Sequence, residues 1–207
     1  MSQVIMSHRE IFVRQVHELA ELIGFETRNK YQIFSKDGSR LAHAAEEKRG
    51  LFGFLFTQML GHWRSFTIHF YDNNNTPFLL AHHPFRFFFQ RLEIKTPDGN
   101  VIGALQQRWS FTGKKFDVED ARANVTMQVY SPFWRLWSFP FYGVQTRSGQ
   151  QLGLVAKKWS GIFTEMITDK DNFLVEFGPD MNLHERYLLM ASAIFIDLQY
   201  FERKAGK

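Results

Sequence analysis

Residues 187–201 read YLLMASAIFIDLQYF, a stretch that is apolar on every side of a helix rather than along one stripe. A helix of that kind is enclosed by protein or lies in a membrane. Spanning a bilayer takes about 20 apolar residues, and the unbroken run Tyr187–Ile196 supplies only about half of that. The helix His184 to Phe201 is therefore predicted to be the inside of the protein. Asp197 falls within it, where an unpaired carboxylate is costly in either setting, so it should take a hydrogen bond from a neighbour or sit near the helix exit.

Upstream, the texture is that of antiparallel β-structure, the natural wrapping for such a helix. Turn residues at Asp37-Gly38, Asp72 to Asn75, Pro97 to Asn100, Ser148-Gly149 and Asp169 to Asn172 punctuate short runs of β-formers. Between them Tyr31–Phe34, Phe66–Phe70, Leu92–Lys95 and Val101–Leu105 alternate as half-buried strands do. Open sheet edges must be managed, and closing the sheet into a barrel is the simplest way. Two stretches echo each other, Gly99-Asn100-Val101-Ile102-Gly103 leading to Trp109 and Gly149-Gln150-Gln151-Leu152-Gly153 leading to Trp159; a weaker copy is Gly38-Ser39-Arg40-Leu41-Ala42. The spacing is too uneven for a propeller, so these read as equivalent hairpins of one barrel.

At the N-terminus, Ser7 and Glu10 form a capping-box pattern, and Ile11, Phe12, Val16, Leu19, Ala20 and Ile23 recur at helical spacing until Gly24. This predicts an amphipathic helix that either docks on the barrel or lies in a membrane interface. The chain accordingly divides into an N-terminal helical segment, 1–24, and a barrel domain with its central C-terminal helix, 25–207.

The 207 residues carry 25 Lys and Arg against 21 Asp and Glu, a net charge of +4 that mildly favours anionic partners. With no cysteine, disulfides, thiolate metal sites and S-acylation are excluded, and an intracellular compartment fits. MSQVIMSHRE opens without the apolar run of a signal peptide, so a cytoplasmic, peripheral-membrane protein is expected. The eight His include the adjacent His82 and His83 but no metal-binding spacing, and no nucleophile elbow, P-loop or dinucleotide fingerprint occurs. Covalent catalysis is not indicated.

Collinear blocks running from about Leu22 to Glu202 carry a resemblance: IGFETRNKYQI with AAEEK, GNVIGALQQRW followed by KKFDVED, GQQLGLVAKKWSGIFTEMITDKDNF, and LLMASAIFIDLQYFE. In these the chain resembles the phospholipid scramblase family. The resemblance implies the fold shared with tubby and LURP-one-like proteins, a closed antiparallel β-barrel of roughly 12 strands around a buried hydrophobic C-terminal helix. It also implies energy-independent, calcium-stimulated movement of phospholipids between leaflets.

Where members of that family carry acylated cysteine-rich stretches, this sequence has aromatic ones: Leu51–Phe56, Pro84–Phe89 and Phe133–Tyr142. Aromatic rings suit the headgroup region, and each basic residue beside an anionic surface adds roughly 1 kcal/mol. Lipid contact is accordingly expected at Phe85, Arg86, Phe87, Phe133, Trp134, Arg135, Trp137 and Phe141, with Arg49 and Arg64 beside further phosphates. Phe52, Phe54 and Phe56 alternate equally well as an ordinary core strand.

The resemblance further places a weak calcium site at Asp169, Asp171 and Asp180. Oxygen ligands at positions 1, 3 and 12 of that window fit an EF-hand, but Leu174 stands where its sharp turn needs Gly, and Phe173, Val175 and Phe177 alternate like a strand. A tight turn entering the last strand is the competing reading. The expected partners are anionic phospholipids at a membrane surface, with room for a protein partner or a homo-oligomer. A non-enzymatic tubby-like scaffold at the membrane surface, which binds lipid or a protein partner and moves no lipid, is the alternative. Nucleic acid ranks last, because the basic residues are scattered rather than massed.

Overall fold

A computed structural model describes residues 2–16, 29–47, 65–132, 140–158 and 172–200. It contains twelve strands: β1 (Glu10–Gln15), β2 (Lys30–Ser35), β3 (Arg40–Glu46), β4 (Phe66–Asp72), β5 (Pro77–His83), β6 (Arg91–Lys95), β7 (Val101–Arg108), β8 (Gly113–Asp120), β9 (Val125–Pro132), β10 (Pro140–Gln145), β11 (Gln151–Lys158) and β12 (Asn172–Phe177). Each pairs antiparallel with its neighbours in the chain, and β1 pairs with β12 to close the barrel. The alternating segments Tyr31–Phe34, Phe66–Phe70, Leu92–Lys95 and Val101–Leu105 each lie in one of these strands.

The helix α2 (Leu183–Tyr200) runs through the barrel and is buried from Arg186 to Leu198. It starts at a true capping box: Glu185 N–H donates to Asn182 Oδ1 at 3.1 Å, and Asn182 N–H donates to Glu185 Oε2 at 2.9 Å. Asp197 has the partner that its burial demands, the Tyr31 hydroxyl of β2 at 3.0 Å. The two strong sequence echoes are hairpins whose first glycine turns the chain, at φ +87° for Gly99 and +70° for Gly149. Their second glycine admits the helix. A Cβ on Gly103 would lie 3.0 Å from Leu188 Cδ1, and one on Gly153 would lie 2.5 Å from Leu189 Cδ2.

The N-terminal expectation is corrected. The helix there is α1 (Ser2–Ser7), six residues long, and Glu10–Gln15 is strand β1. Ser7 Oγ donates back to the Val4 carbonyl at 2.8 Å instead of capping a following helix. Ile11 and Val13 point inward with period two, and Glu10 meets Lys36 at 2.8 Å. Without β1, the edges of β12 and β2 would both be open, so barrel closure overrides the local helical pattern. The division at residue 24 therefore cuts through the barrel. Leu19, Ala20 and Ile23 lie outside the described residues.

Because successive strands alternate in direction, the connections fall at two ends. At the turn end lie α1 and the tight turns following β2, β4, β6, β8 and β10. These turns are polar and closed by short side chains: Asp72 Oδ1 accepts from the N–H groups of Asn74 and Thr76, and Asp120 Oδ1 from those of Arg122 and Asn124. At the loop end lie the connections following β5 and β7, the last residues of β1, β3, β9 and β11, and Tyr200 at the end of α2.

Candidate functional site

The loop end holds the site, built from the β5–β6 and β7–β8 connections. In the first, Phe85, Phe87, Phe88 and Phe89 are exposed, Phe88 by 80%; in the second, Trp109 and Phe111 are exposed, Phe111 also by 80%. These are all the exposed Phe, Trp and Tyr side chains among the described residues. Arg86 is exposed among them.

Three glutamines hold the β5–β6 loop in this form. Gln106 Nε2 donates to the Phe89 carbonyl at 2.9 Å, and Gln90 Nε2 donates to the Arg86 carbonyl at 3.2 Å. Gln90 N–H donates to Gln107 Oε1 at 3.0 Å, while Gln90 Oε1 sits 2.8 Å from His83 Nε2. Phe89 adopts φ +51°, which a bulky side chain tolerates only when its surroundings impose it. The β7–β8 loop is tied down by the Tyr130 hydroxyl, which lies 3.0 Å from the Thr112 carbonyl, and Trp109 packs edge-on against Phe111. Hydrogen-bonded backbone thus presents apolar rings to the outside, an arrangement that hides nothing apolar from water.

Between the two loops and the end of α2 is a concave pocket of about 440 Å³, lined in part by Phe87, Phe88, Phe89 and Trp109 and, on its polar side, by Gln107 and Tyr200. No acidic side chain lines it. Tyr200 packs on Phe116 and Phe141, and burial pushes its phenol well above the usual value of 10.0, so it is a neutral O–H donor at physiological pH. Lys114 points inward at the mouth of the barrel, opposite the buried Ser131, with its Nζ 3.5 Å from the centre of the Tyr200 ring.

Of the expected lipid contacts, Phe85, Arg86 and Phe87 are at this surface. Phe141 is not: it is 0% exposed and packs in the core against Phe116 and Tyr200. It lies on β10, where period two turns it inward, so the aromatic run Phe133–Tyr142 reaches the barrel interior at its end. Phe133, Trp134, Arg135 and Trp137, and equally Arg49, Arg64, Phe52, Phe54 and Phe56, lie outside the described residues. Reading the sequence missed Trp109 and Phe111 as surface groups. Their signal was available: WSFT places two large rings in a four-residue connection between strands, where polar residues normally stand.

Of the three expected calcium ligands, Asp180 alone is among the described residues. Asp169 and Asp171 lie outside the described residues, but Asn172–Phe177 is strand β12, which starts at the loop end and finishes at the turn end. Asp180 follows at the turn end, exposed, beyond a strand about 20 Å long. The alternating Phe173, Val175 and Phe177 are core residues of that strand. Among the described residues no group of three His, Asp or Glu is placed to hold a metal. His83 is a core residue stacked on Phe66.

Comparison with known proteins places the chain among relatives. The family model described as Scramblase matches residues 1–203. Phospholipid scramblase 2 of Bos taurus is 27% identical over 209 residues, covering 96% of this chain and 70% of its own. Phospholipid scramblase family member 5 of Homo sapiens is 26% identical over 202 residues, covering 93% and 73%. Among solved structures, a protein from Arabidopsis thaliana shares the fold at 11% identity, with a TM-score of 0.51 over 90% of this chain and 88% of that one.

Proposed function

Because the chain belongs to the Scramblase family, we propose that it binds phospholipid membranes through the loop end of its barrel and promotes energy-independent movement of phospholipids between leaflets, stimulated by calcium. The observation that carries this reading is the segregation of the barrel's two ends. Among the described residues every exposed Phe and Trp is at one end, and the tight turns at the other are polar and hydrogen-bonded. Aromatic groups of this kind are at home at the depth of lipid headgroups, where the ring is apolar and its surroundings are wet. Arg86 beside them supplies a charge of the sign that anionic lipids attract.

No described helix is long and apolar enough to cross a membrane, and α2 fills the barrel. Lipid exchange in this reading takes place at the outer surface of the loop end, by perturbing the leaflet beneath it, and not through the barrel. The same packed interior favours a second reading, a membrane-surface scaffold that binds headgroups and moves no lipid. Reconstitution with liposomes carrying a fluorescent phospholipid separates the two. Dithionite quenching well beyond the outer-leaflet half is the expected result. Quenching that stops at half while the protein still co-floats with vesicles selects the scaffold, and absence of flotation on anionic vesicles overturns both. If Asp169 and Asp171 bind calcium, Asp169→Ala removes the calcium response without preventing flotation.

A further inference from the structure

We infer that the pocket between the two aromatic loops and the end of α2 is a binding site for a single phospholipid, with the lipid phosphodiester held by Gln107, Tyr200 and Lys114 and its glycerol and acyl carbons lying along Phe87, Phe88 and Trp109. This deepens the membrane-binding reading and rests on it. The pocket's volume of about 440 Å³ lies in the range that takes one small ligand.

Its polar side offers donors. Gln107 Oε1 is already occupied by the Gln90 N–H, which turns the Gln107 amide nitrogen toward Tyr200, 3.5 Å from the hydroxyl oxygen. The Tyr200 hydroxyl hydrogen has no acceptor among the described residues. The Lys114 ammonium lies against the same ring. A lining that offers amide and phenol donors and no carboxylate, with the Lys114 cation packed on its Tyr200 wall, complements a phosphate oxygen rather than an amine or a sugar hydroxyl.

The walls decide the source of that phosphate. Phe88 is 80% exposed and Phe87, Phe89 and Trp109 stand around the opening, so the entrance is apolar where a free phosphate ion or a sugar phosphate would need water. A molecule that is charged at one end and hydrocarbon at the other satisfies both parts. With the loop end resting on a leaflet, a headgroup enters the pocket from below while its chains stay in the bilayer.

The test uses the full chain and calorimetric titration with a monomeric short-chain phospholipid, dihexanoyl-phosphatidylserine. Dihexanoylglycerol, which lacks the phosphate, and inorganic phosphate, which lacks the chains, are titrated alongside. Saturable one-to-one binding of the phospholipid is expected, with neither control binding comparably. Tyr200→Phe and Lys114→Met are each expected to weaken it roughly tenfold, as for loss of one hydrogen bond to a charged group. Folding of both variants is checked by thermal melts. Gln107→Leu provides a third probe if either variant melts early. Inorganic phosphate binding as tightly as the lipid overturns the lipid assignment. Flotation of the wild type without any short-chain lipid binding overturns the pocket and leaves the membrane reading standing; loss of flotation as well overturns both.

Discussion

Asp197 and Tyr31 meet inside the barrel at 3.0 Å, a carboxylate and a hydroxyl that are both almost fully buried. Removing the hydroxyl leaves a buried polar group short of a donor, which costs about 1–3 kcal/mol. Tyr31→Phe should lower the unfolding free energy by that amount in a denaturant titration, with the barrel otherwise intact. Gly153 is constrained in the opposite sense, by too little room: a Cβ there would lie 2.7 Å from the Glu176 carbonyl as well as against Leu189. Gly153→Ala should therefore destabilise by about 1–3 kcal/mol, as overpacking does. His43 carries a pH dependence. It is stacked on Tyr71 with its Nδ1 lacking a hydrogen-bond partner, and burial, with Arg40 nearby, holds its pKa below the ordinary 6.5. On unfolding it binds protons more readily, so its effect is to lower stability as pH falls from 6.5 toward its folded value. Melting temperatures compared at about pH 7.5 and pH 5.5 should fall less for His43→Phe than for the wild type.

At the scale of elements, the β5–β6 loop is the least self-sufficient part of the site. Its shape depends on glutamines from its own end and from β7, and its positive-φ Phe89 stores about 1–3 kcal/mol that those hydrogen bonds offset. Gln106→Ala should raise amide hydrogen exchange in residues 84–90 by roughly tenfold, about the value of one such bond, and weaken vesicle flotation. Unchanged exchange would show that the rings hold themselves. Sequence reading reached the loop's apolar character but not this support, because a glutamine on a strand looks the same whether it faces water or a neighbouring loop. The N-terminal segment shows the same limit. Ile11, Phe12 and Val16 satisfy a helical period and Ile11 and Val13 a strand period, and only the need to pair β12 with β2 distinguishes them.

For the whole molecule, closure at the β1–β12 seam is the decisive contact, and it joins residues at opposite ends of the chain. Phe12 and Leu174 face each other across it. Since the chain has no cysteine, Phe12→Cys with Leu174→Cys permits only one intramolecular disulfide. It should form on oxidation and raise unfolding free energy by about 2–4 kcal/mol. Leaflet exchange should be unchanged in the oxidised variant; its loss would mean that the barrel opens during transport. By itself the sequence determined the buried helix, the β wrapping, the glycine-turned hairpins of the repeats and the aromatic character of the Pro84–Phe89 connection. Each of these follows from local periodicity, run length or a conformation that only certain residues adopt. Tertiary structure alone decided that β1 is a strand, that Phe141 faces inward, that Asp180 is a strand's length from the start of β12, and that Phe88, Trp109 and Tyr200 surround one pocket. Those facts depend on which segments meet in space, and pairing across more than a hundred residues leaves no mark in any local window of sequence.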